Sequence, residues 1–208
     1  MNSLKVLKAF DWENNVFCNV IKSVVLLLTE EGKMPEPIEV TNMKKNCEDR
    51  EYVLKTVKEN GKLLEFASEN LKDDREIALE AVLNNPEALE FVSDRLKEDR
   101  EIVYQSVSKL GWTYCYARGK ILEDRELLIS GLKINGQILY YSIPKMRDDK
   151  EVVKLAVENK PIIIKYASNR LKNDKEIGLI AVQKDKSSFK FLGEELKQDE
   201  EIKEIINS

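Results

Sequence analysis

From residue 49 onward, apolar and polar positions recur with a period of 25 residues and no insertion. Asp stands at 49, 74, 99, 124, 149, 174 and 199, with Glu two places later each time. Small or apolar residues fill the third, fourth, seventh and eighth positions after the Asp, as in Ile77, Ala78, Ala81 and Val82. That spacing is one face of an α-helix. The seventh position is small in every full copy (Thr56, Ala81, Ser106, Gly131, Ala156, Ala181), which predicts a neighbouring helix in close approach. The helix is expected to stop on Asn60-Gly61, Asn85-Pro86, Gly111, Asn135-Gly136 or Lys160-Pro161, where Gly or Asn supplies a left-handed terminal residue and Pro opens the next element. A second, shorter helix then follows. It is expected to turn an aromatic at the seventeenth position (Phe66, Phe91, Tyr116, Tyr141, Tyr166, Phe191) toward the core, with Leu71 and its equivalents closing the unit.

One such unit cannot bury its apolar face alone, so stacking is what folds it. The expected fold is all-α: an α-solenoid of stacked 25-residue helical hairpins over 49–208, with six full units and a truncated seventh. A leucine-rich repeat is set aside because alternating L-x-L strands are missing. Residues 1–48 fall outside the period and read as an N-terminal helical cap and connector. Helical spacing over 4–10 and 17–28 predicts two helices, and Gly32, Pro35 and Pro37 predict an irregular or extended connector over 30–41. A cap covering the open end is what a solenoid needs for solubility. The connector is also a candidate part of a binding surface.

Asp-Arg/Lys-Glu, three apolar residues, Ala-Val, Asn-Gly, Leu-x-Phe/Tyr-Ala-Ser and a closing Leu-Lys-x-Asp make up the unit. The copy from Asp49 through Asn60-Gly61, Leu64, Phe66-Ala67-Ser68, Leu71-Lys72 and Asp74 carries nearly all of it. This pattern resembles the repeat family known as domain of unknown function 4116, over residues 49 to about 203. The resemblance implies a helical repeat platform, found in bacterial and effector-like proteins, without a shared catalytic motif. The third and fourth units depart most, with Leu110-Gly111 in place of Asn-Gly and Ile143-Pro144 in place of Ala-Ser.

Composition narrows the chemistry. The 34 basic and 38 acidic residues nearly balance, so no global field draws the chain to nucleic acid or anionic membrane. Cys18, Cys47 and Cys115 share no C-x-x-C spacing, which predicts reduced thiols, no structural zinc and a cytoplasmic location, or delivery into a host cell. The longest apolar run, 24–28, is far short of a bilayer span. Histidine is absent, which removes the usual general base and most transition-metal sites, so no cofactor and no metal are expected.

Stacking aligns the Asp and Glu columns along one edge, where paired carboxylates suggest acid/base or metal chemistry. Helix capping accounts for them better: Asp accepts a first-turn N–H, Glu favours the positive end of the helix dipole, and Asp73 or Asn173 with Glu three residues later fits a capping box. The Arg and Lys between Asp and Glu can neutralise the ladder. Cys115 has no His to activate it as a nucleophile.

Columns that disagree between copies say more. The thirteenth position is Lys62, Glu87, Gln137, Ile162 and Ser187 but Trp112 in the third unit. The sixteenth is Glu65, Glu90, Lys165 and Lys190 but Cys115 and Tyr140 in the middle two. Trp112, Cys115 and Tyr140, with Arg118 where Ser68, Ser93 and Ser168 stand elsewhere, are therefore expected to form an exposed aromatic patch suited to a partner protein. The alternative is a local rotation that puts them in the core. The expected function is a non-enzymatic protein–protein interaction module, an inhibitor or adaptor that occupies a larger partner in a bacterial, phage or effector setting. A nucleic-acid edge built from Lys72, Lys97, Arg147, Lys172 and Lys197 is the alternative, and a carboxylate hydrolase a remote third.

Overall fold

The computed structural model describes residues 36–208; the helices expected over 4–10 and 17–28, and Cys18, lie outside the described residues. The chain divides into Met1–Asn42 and Met43–Ser208, six residues earlier than the sequence boundary at 48. Helix α1, Ile38–Lys45, takes the last four residues, 38–41, of the stretch expected to be an irregular connector, directly after Pro37. Pro37 is compatible with a helix starting just beyond it.

All regular structure among the described residues is helical. Each repeat opens with a longer helix: α2 Arg50–Glu59, α3 Arg75–Asn84, α4 Arg100–Val107, α5 Arg125–Leu132, α6 Lys150–Asn159, α7 Lys175–Lys184 and α8 Glu200–Asn207. Every one starts on the repeated Asp, whose carboxylate accepts from first-turn backbone N–H groups, as Asp74 does from Glu76 and Ile77. The cap is this Asp and not Asp73 or Asn173, which end the preceding single turn instead. Their side chains face the next unit: Asp73 takes Ser93 and Arg95, and Asn173 accepts from the Leu196 N–H.

The second element is a six-residue 3-10 helix in most units, such as Gly61–Phe66, Gly111–Tyr116 and Pro161–Tyr166. A single helical turn then closes the unit, as in Glu69–Lys72 or Leu96–Glu98. The 3-10 geometry moves the aromatic column. At 3.0 residues per turn the fifteenth and eighteenth positions eclipse. These positions, Leu64 and Ala67 or Leu139 and Ser142, are buried together with the fourteenth, for example Leu63 or Ile138. The aromatic at seventeen is left at the rim, half-buried, and Tyr141 is 50% exposed. The expectation of a core aromatic fails because it set the seventeenth position beside the fifteenth, and residues two apart in a helix do not share a face.

The stop signals also work differently from the expectation. Asn60, Asn85 and Asn135 are extended, and each side chain accepts from the N–H two residues on. Among the described residues only Gly119, at φ 62°, adopts a left-handed backbone. Glycine at the twelfth position serves close approach instead. A Cβ on Gly136 would lie 2.6 Å from the Ala156 carbonyl oxygen of the next unit, and Gly61 and Gly111 stand equally tight against Ala81 and Gly131. Those carbonyls belong to the small seventh position, so the two small columns face each other across the unit boundary.

Consecutive long helices pack in order from α2 to α8, and consecutive 3-10 helices pack alongside them. Two polar devices bind neighbours. Arg50 bridges Asp74 and Glu76 of the following unit at 2.8 and 2.6 Å, and Arg75, Arg100, Arg125, Lys150 and Lys175 repeat the pattern. At the other end of the helices, the twelfth position pairs with the tenth of the next unit. Where Gly61 and Gly136 keep an N–H, Asn84 and Asn159 accept it at 2.8 and 2.9 Å and return an amide N–H to Lys58 and Lys133 carbonyls. Where Pro86 and Pro161 lack it, Lys109 and Lys184 donate to the carbonyls of Leu83 and Glu158.

The ladder sets the response to acid. Asp74 and Asp149 are held below the usual carboxylate range, chiefly by hydrogen bonds from Arg50 and Arg125, against burial, which acts the other way. A carboxyl lowered in the folded state binds fewer protons there than in the unfolded chain. Its contribution is therefore present above the unfolded value near pH ~4 and lost as pH falls through the lower folded value. The melting temperature should be level from neutral pH to about 5 and fall below about 4, with a shallower acid limb in Arg125→Gln. A thermal scan across pH checks this; identical limbs in both proteins refute it.

Candidate functional site

Each unit places its thirteenth, sixteenth and seventeenth positions on the outside of the 3-10 helix, so these columns form one continuous face. In the third unit Trp112 is half-buried, its ring edge-on to Tyr116 with centroids 5.6 Å apart. In the fourth, Tyr140 is 50% exposed and packs against Tyr141 at 4.9 Å and Tyr166 of the next unit at 4.7 Å. Trp112, Tyr140, Tyr141, Ile162 and Tyr166 line one shallow groove of about 230 Å³, with Lys160 and Lys165 beside them. The rotated-core alternative does not hold here: the core positions of these units are taken by Thr113, Tyr114, Ile138 and Leu139.

The other two residues of the expected patch stand apart from this groove. Cys115 is half-buried, and burial is the main cause that pushes its thiol up, opposed by Arg118. A raised thiol is a poor nucleophile. Arg118 is exposed but turns back, donating to the carbonyls of Cys115 at 3.0 Å and Ala117 at 2.9 Å. Tyr141 and Tyr166 are the groove residues that the sequence comparison assigned to the core, and Ile162 stood unremarked in its column.

The carboxylate columns are committed to structure. Each repeated Asp from 74 to 199 caps a helix and accepts from the previous unit's Arg or Lys, and the resulting downward pull is opposite to what a general acid needs. Glu176 is drawn down to about 2 by Lys154 and Lys150. Among the described residues no group of three or more His, Cys, Asp or Glu is arranged to hold a metal ion. Three of the five cations in the expected nucleic-acid edge are paired: Lys72, Lys97 and Lys197 side chains are 18%, 12% and 20% exposed and pair with Glu69, Asp94 and Glu194. Arg147 donates to the Ser142 carbonyl at 2.9 Å.

The model of the family described as Domain of unknown function (DUF4116) matches residues 49–97, 99–147 and 149–197. These three tandem matches cover well over half of the chain, and each spans two of the 25-residue units. The chain belongs to the DUF4116 family. The resemblance read from the Asp-Arg-Glu units is thereby shown, and the DUF4116 repeats account for α2 through α7. No curated protein matches the chain, and no solved structure matches it. Within the DUF4116 array, no helix among the described residues is long and apolar enough to cross a membrane.

Proposed function

We propose that the array is an α-solenoid that acts as a non-enzymatic protein-interaction module, an inhibitor or adaptor in the cytoplasm or inside a host cell. The observation that carries the reading is the groove between Trp112, Tyr140, Tyr141 and Tyr166, where three consecutive units turn aromatic side chains outward together. Its support is chemical. Half-exposed Trp and Tyr rings supply large contact area at small entropic cost, and they concentrate binding energy when a partner excludes water from them. The neighbour-to-neighbour packing supports the solenoid, because contacts confined to adjacent units produce an elongated array with an extended face.

Trp112→Ala and Tyr140→Ala test this reading. Both should lower the melting temperature by no more than a few degrees, because neither ring fills the core. Affinity for the partner captured from the native host should fall by about tenfold or more for each, as for truncated interface anchors. Unchanged capture by both variants, measured by quantitative pull-down, would refute the groove as the binding site. A collapse of the melting temperature would show the rings to be structural.

A further inference from the structure

The groove does not end at Tyr166. Lys165 lines both it and a second trough of about 530 Å³, which continues past Asn169, Lys190 and Phe191 to Glu194. With Lys165 shared, the two make one track over the third to sixth units, aromatic at one end and cationic toward the other.

The cations on this track differ from those elsewhere in the array. Lys62, Lys72 and Lys97 of the first two units are paired with Glu87, Glu69 and Asp94, which neutralises the carboxylates on that part of the same face. Among the described residues Lys160, Lys165 and Lys190 make no ion pair. Two of them sit on rings instead: the Lys165 ammonium lies 4.7 Å from the Tyr166 centroid and 5.9 Å from Phe191, and Lys190 lies 4.9 Å from Phe191. A ring face offsets only part of an ammonium's charge. Lys165, Lys172, Lys190 and Lys197 line the second trough against Glu194 and Glu195, so its net charge is positive.

We infer that this track takes an acidic peptide segment of a partner protein, anchored by an apolar side chain in the Trp112–Tyr140–Tyr166 groove, with its carboxylates along Lys160, Lys165 and Lys190. The inference rests on the protein-interaction reading and adds the chemistry of the partner. Single-stranded nucleic acid fits less well, because bases need open ring faces. Here ammonium groups cover Tyr166 and Phe191, and the tyrosines pack against each other at 73° and 55°. A second copy of the chain fits less well too, since three acidic side chains it would bring from its own first two units are already paired.

The test is selection of a degenerate dodecapeptide library on the immobilised full chain, followed by fluorescence titration of the enriched peptides. The wild type should enrich peptides rich in Asp and Glu around one apolar residue. Their affinity should weaken by about tenfold between about 50 and about 300 mM NaCl, as for exposed charge pairs. Lys160→Glu/Lys165→Glu/Lys190→Glu should lose binding by more than about tenfold while keeping its melting temperature; should it melt early, Lys165→Gln/Lys190→Gln, which adds no charge, replaces it. Enrichment of neutral or basic peptides, abolished by Trp112→Ala, would overturn the acidic partner and leave the interaction reading standing. No enrichment at all would overturn both. Tighter binding of oligouridylate than of any peptide, or a chain that sediments as a dimer with the track occluded, would overturn the inference in favour of those occupants.

Discussion

Tyr114→Ala is expected to remove about 3–5 kcal/mol of stability, the range for deleting a large, fully buried aromatic side chain. Tyr114 is 0% exposed and occupies the column filled by Leu64, Leu89, Leu139 and Ile164 in other units. Its hydroxyl donates to the Leu122 carbonyl at 3.3 Å, and burial pushes the phenol up to about 12. The reason for a tyrosine here lies in the boundary between the third and fourth units. Elsewhere the carbonyl at this place, that of Lys72, Lys97, Arg147 or Lys172, accepts the backbone N–H of the next unit's Ser93, Arg118, Ser168 or Gly193. Ile143 makes no such bond to Leu122, and the Tyr114 hydroxyl takes the carbonyl instead.

Two consequences separate this account from a simple cavity. Tyr114→Phe keeps the ring and loses only the donor, so it should cost about 1–3 kcal/mol, the penalty for stranding a buried acceptor. Denaturant unfolding of Tyr114→Ala should also broaden or split into two steps, since repeat arrays separate where a nearest-neighbour interface is weakened. Equilibrium unfolding in urea measures both. A loss below about 1 kcal/mol for the alanine variant would contradict the burial of this side chain.

Gly136→Pro should cost about 1–3 kcal/mol or more, through overpacking and loss of a donor. The Ala156 carbonyl lies 2.6 Å from where any Cβ must go, and the Gly136 N–H now bonds to Asn159 at 2.9 Å. Proline also leaves the Asn159 carbonyl oxygen without its hydrogen. The array itself contains the compensating pair, because Pro86 and Pro161 face Lys109 and Lys184 where Gly61 and Gly136 face Asn84 and Asn159. Gly136→Pro/Asn159→Lys should therefore be more stable than the single losses sum to, with a coupling of about 1 kcal/mol or more in a double-mutant cycle. Additive losses would show that the two columns are independent.

Much of the site and fold is legible in the chain. The repeated Asp caps its helix, the small seventh position meets the neighbouring unit, and the Arg and Lys columns bridge to the next Asp and Glu, all as spacing alone implies. Trp112 and Tyr140 emerge as outward residues because columns polar in most copies face solvent. Tyr141 and Tyr166 were assigned to the core as a repeated aromatic column, but they stand two places after the buried Leu139 and Ile164, and residues two apart in a helix do not share a face. Gly136 and its equivalents were given a left-handed role, whereas the contact that requires glycine comes from the following unit, 20 residues away in sequence.

The repeat, its register, the helix starts and the family can be read from the chain, because capping and amphipathic periodicity are local and each unit states them again. Which aromatics reach the surface, which lysines remain unpaired, and why Gly61 and Gly136 go with Asn while Pro86 and Pro161 go with Lys emerge only in the folded array. Those outcomes depend on distances between units, and a pattern within one unit does not contain them.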